Sequence, residues 1–178
     1  MNDVDLFYKN IIVEARDFAK LKHGEQKYGE HDYVYHLDNV YKIAQEFNLE
    51  FKYLIAAYLH DVLEDTTTTK EELKEKFGIW ISEVVWAVSG FGDGRKARKT
   101  DMLAKIEVFQ DAILLKMIDR LANMREASKN GDVKLLQMYV DEIKDYDHLF
   151  SKGNKDIYYE INLFKHSELL VKKAKNKM

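Results

Sequence analysis

The stretch Leu54-Ile55-Ala56-Ala57-Tyr58-Leu59-His60-Asp61-Val62-Leu63-Glu64-Asp65-Thr66 constrains this chain more than any other. Its apolar run would bury a helix on most sides, yet it carries one imidazole and three carboxylates, which a dry core does not tolerate without compensation. Positive charge, most simply a metal ion, is needed beside them. Read as one helix from about Glu50 to Glu64, the stretch spaces His60 and Glu64, and likewise Asp61 and Asp65, four apart. All four groups then share one side within little more than a turn, the pattern of a site and not of a solvated face.

The rest of the chain reads as helix after helix. It has no proline, only eight glycines, and is rich in Glu, Lys, Leu and Ala, which predicts an all-α bundle. A first helix, capped by Asp3 or Asp5, runs to about Lys22 with Phe7, Ile11, Ala15, Phe18 and Leu21 as its buried stripe. His23 to Asp32 is polar, holds two glycines and reads as an ordered loop. The helical period resumes from Tyr33 to Phe47 through Leu37, Val40, Ile43 and Ala44, with His36 in the first turns. Thr69-Lys70-Glu71-Glu72 matches a capping box, so a helix is predicted from Lys70 to before Gly78, and another over Ile79 to Ser89. Gly90 to Lys99, with three glycines and then four cations in five residues, reads as a mobile basic loop. Helices are then expected from Thr100 to about Phe109 and from Ala112 to Met124 and beyond, the latter a second nearly all-apolar run holding one carboxylate, Asp119. Gly131 and Asp132 stop it and cap the next, Val133 to Phe150, and a last helix runs from Asp156 to about Lys175 with a solvated, frayed tail.

Length and composition bound the function. With 178 residues, 46% hydrophobic and 33% charged, residues 1–178 form one domain with a real core. The absence of cysteine excludes disulfides, thiolate metal sites and a cysteine nucleophile. No apolar run approaches the roughly 20 residues that span a bilayer, and the N-terminus lacks the basic region of a signal peptide. A cytoplasmic protein without membrane partners is therefore expected. The formal charge of −3 argues against a nucleic-acid partner.

His36, the His60-Asp61 pair and Asp119 are the groups that ask for chemistry. Two imidazoles and two carboxylates brought together would bind a divalent ion, and mixed N and O ligation favours a transition metal over calcium. Taken singly, His36 also reads as a half-buried histidine with one hydrogen bond, and Asp119 as a buried carboxylate paired with Arg120 or Arg125.

The whole arrangement, one His, then adjacent His-Asp, then a distant Asp, resembles the HD superfamily of metal-dependent phosphohydrolases. Ala57 to Thr66, followed by Thr69, Glu72 and Phe77-Gly78, is similar to the hydrolase domain of RelA/SpoT proteins and the small alarmone hydrolases. Met117-Ile118-Asp119-Arg120-Leu121-Ala122-Asn123-Met124 resembles that family's second signature. The likeness covers about residues 15–140, with the later helices over 133–175 packing on it.

The resemblance implies an HD-type helical bundle that removes the 3′-pyrophosphate from guanosine tetra- or pentaphosphate, commonly with manganese, although magnesium or another divalent ion would suit such ligands. Carried over by position, His36, His60, Asp61 and Asp119 are the metal ligands, Glu64 and Asp65 handle the attacking water and its protons, Asn123 organises site or substrate, and Tyr139 contacts substrate. Lys27, Arg95, Lys96, Arg98 and Lys99 are the candidate cations for the phosphates. The family's Arg-Lys pair, whose arginine helps hold the guanine nucleotide, is replaced by Gln26-Lys27-Tyr28-Gly29, and Leu37 stands where Pro usually follows the first ligand. Tyr28 offers a planar substitute for stacking, with simple packing as its alternative. No synthetase or regulatory region accompanies the domain, so a stand-alone hydrolase is expected. Two alternatives remain open: the same chemistry on a deoxynucleoside triphosphate, nucleoside monophosphate, adenosine alarmone or phosphorylated dinucleotide, and a nucleotide-binding module without turnover.

Overall fold

The computed structural model describes residues 3–167 and residue 170. Its elements are α1 (Asp3–His23), a two-stranded hairpin of β1 (Lys27–Tyr28) and β2 (His31–Asp32), α2 (Val34–Glu46), α3 (Phe51–Leu59), α4 (Val62–Asp65), α5 (Lys70–Phe77), α6 (Ile79–Val88), α7 (Gly94–Val108), α8 (Ala112–Lys129), α9 (Val133–Phe150) and α10 (Lys155–Leu163). Two helices that the sequence marks as apolar all round form the centre. Tyr53 to Leu59 of α3 are all buried, and α8 buries residues on every face, from Ala112 to Ala127. Around them pack α1, α2, α6, α9 and α10. No described helix is long and apolar enough to cross a membrane.

Several boundaries follow from local chemistry. Thr69 Oγ1 accepts from the Glu72 amide at 3.1 Å and starts α5, as the capping box predicts. The reciprocal half of the box is not made, because Glu72 turns to Lys22 of α1. Asp132 and Asn154 cap α9 and α10 by accepting amide hydrogens of the first turn. The loop over His23 to Asp32 is ordered as a hairpin, and Gly29, at φ +60°, supplies its left-handed turn residue.

Four expectations are corrected. The predicted single helix over Glu50–Glu64 breaks at His60 and Asp61, between α3 and α4. The His60 Nδ1 lies 2.9 Å from the Ala57 carbonyl, the acceptor that the Asp61 amide would use in an unbroken helix. The basic segment is not a loop, since α7 begins at Gly94 and takes in Arg95 to Lys99; Arg, Lys and Ala are good helix formers once the preceding glycines have turned the chain. In α1 the buried stripe is Ile12, Ala15, Phe18 and Ala19, while Phe7 and Leu21 are exposed: the face turns about one residue from the predicted one to meet α3. The helix α10 stops at Leu163 and tightens into a 3-10 turn over Phe164–His166, which interrupts the single run predicted from Asp156, and the expected solvated tail at Lys172–Lys177 lies outside the described residues.

Candidate functional site

Three separate elements deliver the charged groups to one point. His36 comes from the first turn of α2, His60 and Asp61 from the break between α3 and α4, and Asp119 from the middle of α8. The break turns His60 and Asp61 inward together. His36 and His60 are each 2% exposed and Asp119 6%. The two Nε2 atoms lie 3.2 Å apart. Asp119 Oδ1 is 3.4 Å from His36 Nε2 and 3.6 Å from His60 Nε2. Asp61 Oδ2 is 2.9 Å from His60 Nε2 and 3.6 Å from His36 Nε2.

These separations fit a metal. Donors about 2.0–2.2 Å from one ion lie about 2.9–3.6 Å from one another in tetrahedral or octahedral arrangement. His36, His60 and Asp119 form a group whose ligand atoms all fall within 4.8 Å of one another. With Nδ1 of His60 directed at the Ala57 carbonyl, its Nε2 presents a lone pair to the cluster. Burial alone would lower the His60 pKa, but Asp61 and Asp119 outweigh it and push the imidazole up to about 10. Burial likewise works to raise both carboxylates, yet His60 holds Asp61, and Lys116 holds Asp119, well below the usual carboxylate range. The cluster thus attracts positive charge strongly, as the opening stretch of sequence requires.

Further side chains fix these four groups. Tyr33 donates its hydroxyl to Asp61 Oδ2 at 2.6 Å. The Asn123 amide nitrogen donates to Asp119 Oδ1 at 2.6 Å, and its oxygen accepts from the Tyr28 hydroxyl at 2.9 Å. Asn123 thus bridges Asp119 and Tyr28. Lys116, three residues before Asp119, donates to Asp119 Oδ2 at 2.8 Å. The alternative pairing of Asp119 with Arg120 or Arg125 is not made: Arg125 binds Glu46 and Glu160, and Arg120 turns the other way to Glu142.

Beside the cluster lies a cavity of about 110 Å³ lined by Glu64, Arg95, Arg98, Lys99, Lys116 and Arg120, among others. Glu64 Oε2 accepts from the Gly90 amide at 2.8 Å, and Oε1 lies 3.7 Å from Arg98 Nη1. Burial is the largest influence on Glu64 and lifts its pKa above the ordinary glutamate value, against the Gly90 amide and Lys116. Glu142 ties the cations together, holding Arg95 through two hydrogen bonds and lying 3.0 Å from Arg120 Nη1. Arg120 is 5% exposed and its guanidinium sits 4.8 Å from the ring centroids of both Tyr139 and Tyr146. That charge is desolvated by two aromatic faces, which strengthens its attraction for anions.

The structure brings together His36, His60, Asp61, Asp119, Asn123 and Glu64, with Arg95 and Arg98 at the cavity and Tyr139 behind Arg120. Lys27 stands apart, paired with Asp32 across the hairpin and exposed. Lys96 does not line the cavity, whereas its neighbours at Arg95, Arg98 and Lys99 share the inward face of α7. Asp65 is exposed and accepts from Gln26 at 3.0 Å. Tyr28 stacks on the His36 ring at 4.7 Å and donates its hydroxyl to Asn123. Lys116, Arg120, Glu142 and Tyr33 went unselected as site residues by sequence reasoning. Lys116 had a legible signal, a cation inside an apolar helix one turn from Asp119.

A sequence profile of the HD domain family matches residues 15–144. Guanosine-3′,5′-bis(diphosphate) 3′-pyrophosphohydrolase of Aquifex aeolicus is 41% identical over 121 residues, 64% of this chain and 17% of that protein. The protein of the same name from Haemophilus influenzae is 39% identical over 103 residues, 52% of this chain and 15% of its own length. GTP pyrophosphokinase rsh of Brucella ovis is 28% identical over 167 residues, 85% of this chain and 22% of its own. The chain thus spans only 15–22% of the length of these curated relatives. Among solved structures, a metazoan ortholog of SpoT, described as hydrolyzing ppGpp, shares the fold at TM-score 0.69 and 23% identity, over 90% of this chain and 96% of that one.

Proposed function

The chain belongs to the HD domain family, and from that premise we propose that it is a metal-dependent phosphohydrolase that removes the 3′-pyrophosphate of guanosine tetra- or pentaphosphate. The observation that carries this reading is the junction of a His-His-Asp-Asp cluster with a cation-lined cavity, with Glu64 and Lys116 at the boundary. The names of the relatives supply the substrate class.

His36, His60, Asp61 and Asp119 would hold the ion, for which manganese is our choice. A divalent ion there supplies Lewis-acid charge to a phosphoryl oxygen and makes water more acidic. Glu64 accepts the proton of the attacking water; its Oε2 is engaged by Gly90, which leaves Oε1 toward the cavity side where Arg98 lies. A pKa raised by burial brings this base nearer neutrality, where proton acceptance is more effective. The water oxygen attacks the phosphorus bound to the 3′-oxygen, that P–O bond breaks, and the expelled 3′-oxygen takes up the proton that Glu64 removed from the water, which gives free pyrophosphate and a 3′-hydroxyl. Asp65 completes the Glu-Asp pair that handles the protons. Lys116, Arg120, Lys99, Arg98 and Arg95 surround the departing charge, and Tyr139 braces Arg120.

A second reading keeps the reaction and changes the nucleotide. It rests on the hairpin, where Tyr28 is committed to His36 and Asn123, and Lys27 to Asp32, so the planar cation that would grip guanine has no direct replacement there.

The test is a panel of phosphorylated nucleotides with added manganese, run on three proteins. The unaltered protein should release pyrophosphate from guanosine tetraphosphate; Asp61→Ala should lose metal and turnover together; Glu64→Gln should keep metal while kcat falls by about 10²–10⁴. Full activity in Asp61→Ala would sink the ligand assignment, and turnover confined to another nucleotide would favour the second reading. Nucleotide binding without turnover of any kind would make the domain a binding module.

A further inference from the structure

His23, the last residue of α1, is 6% exposed and belongs to none of the groups used so far. Its ring stacks on Tyr33 at 4.2 Å with an interplanar angle of 19°. Its Nδ1 lies 2.8 Å from Gln26 Oε1, and Gln26 Nε2 lies 3.0 Å from Asp65 Oδ2. The chemistry at the far end orients this chain of groups. A carboxylate only accepts, so the Gln26 amide nitrogen must face Asp65; its oxygen then faces His23, and an amide oxygen requires a donor. His23 must therefore carry its proton on Nδ1. Its Nε2 is buried and meets no donor among the described residues.

The loop does not need this side-chain path for its shape. The Gln26 amide donates to the His23 carbonyl, and the Tyr33 amide to the Gln26 carbonyl, each at 3.0 Å, so backbone bonds already close it. What the path does is select one position for Asp65, an exposed carboxylate at the end of the four-residue helix α4 that would otherwise sample several rotamers. Burial, the largest influence on His23, lowers its pKa and keeps the ring in the neutral form that such a tautomer requires.

We propose that His23 is a positioning residue that, through Gln26, holds Asp65 in place for proton handling at the metal-dependent site. The proposal deepens the functional reading above and rests on it. Gln26→Leu cuts the path, His23→Phe keeps the ring over Tyr33 but removes both nitrogens, and His23→Asn restores an amide donor near the place of Nδ1. With manganese and guanosine tetraphosphate, the first two should each lower kcat about tenfold with KM and bound metal within about twofold of the unaltered protein, and combining them should cost no more than either alone. His23→Asn should recover at least half of the lost activity. In the unaltered protein at neutral pH, imidazole ¹⁵N spectra should place the His23 proton on Nδ1.

A proton on Nε2 overturns the proposal, as does a Gln26→Leu protein with unchanged kcat, or fully additive losses in the double variant. If His23→Phe fails to fold, Gln26→Leu and the spectrum still decide it. Absence of turnover in the unaltered protein would defeat the functional reading instead, and the ¹⁵N spectrum would still decide the link from His23 to Gln26.

Discussion

Asn123 is the side chain in which the design of the centre is easiest to read. One amide group meets Asp119 Oδ1, the Asp119 carbonyl and the Tyr28 hydroxyl, while Tyr28 itself lies flat on His36. Two proposed ligands from different helices are thus steadied by one residue that touches no metal. Removing such outer partners generally costs about 10–100-fold in metal affinity. Asn123→Ala should therefore weaken manganese binding by that factor, measured by titration of the metal-free protein, and saturating manganese should restore much of the activity. An unchanged affinity would show that Lys116 alone suffices to hold Asp119. At this scale the proposed ligands were legible in the sequence, because an imidazole or carboxylate in an apolar run is conspicuous wherever it occurs. Tyr33 was not, since a tyrosine at the start of a helix reads the same whether it packs or donates to Asp61.

At the scale of elements, the contact between α4 and the turn before α7 joins the base to the cations. Gly90 donates its amide to Glu64, and the Arg98 backbone passes very close to it: a Cβ placed there would lie 2.5 Å from the Arg98 carbonyl oxygen. Gly90→Ala should force the turn away from α7, break the bond to Glu64 and displace Arg98 together with it. The expected result is a loss of about 1–3 kcal/mol in stability by denaturant titration, as for other overpacked sites, and a larger fall in kcat than in metal content. Retained kcat would mean that Glu64 does not depend on the Gly90 amide. The start of α7 was hidden from the sequence because glycines and a run of cations resemble a loop; only with Glu142 of α9 and Glu64 of α4 opposite does the cationic face of the helix acquire partners. The break at His60 was hidden for the converse reason. The periodicity of the stretch is helical, and an imidazole turning back onto its own carbonyl leaves no trace in hydrophobic spacing.

At the scale of the whole molecule, one acidic residue reaches three of the cations at the cavity. Glu142 binds Arg95 and neighbours Lys99 and Arg120, and although burial works to raise its pKa, the hydrogen bonds from Arg95 and the charges around it bring it down to about 2, from an ordinary 4.5. A depressed carboxylate contributes stability that is fully present above its unfolded pKa and disappears as the pH falls through its folded one. Glu142→Gln should therefore be destabilised, by on the order of 2–3 kcal/mol, at pH values above about 4.5. The gap from the unaltered protein should close as the pH falls toward about 2, checked by urea denaturation across that range. A gap independent of pH would assign the loss to packing. The sequence by itself determined the helical content, most helix boundaries and the identity of the groups that want a cation, because backbone hydrogen bonds, caps and hydrophobic period act over a few neighbouring residues. Only the tertiary structure decided that Arg120 turns to Glu142, that Glu142 gathers the cations, and that Gln26 reaches Asp65. Those pairings join residues brought near by the angles and registers at which helices pack, and many different packings would satisfy the same local pattern.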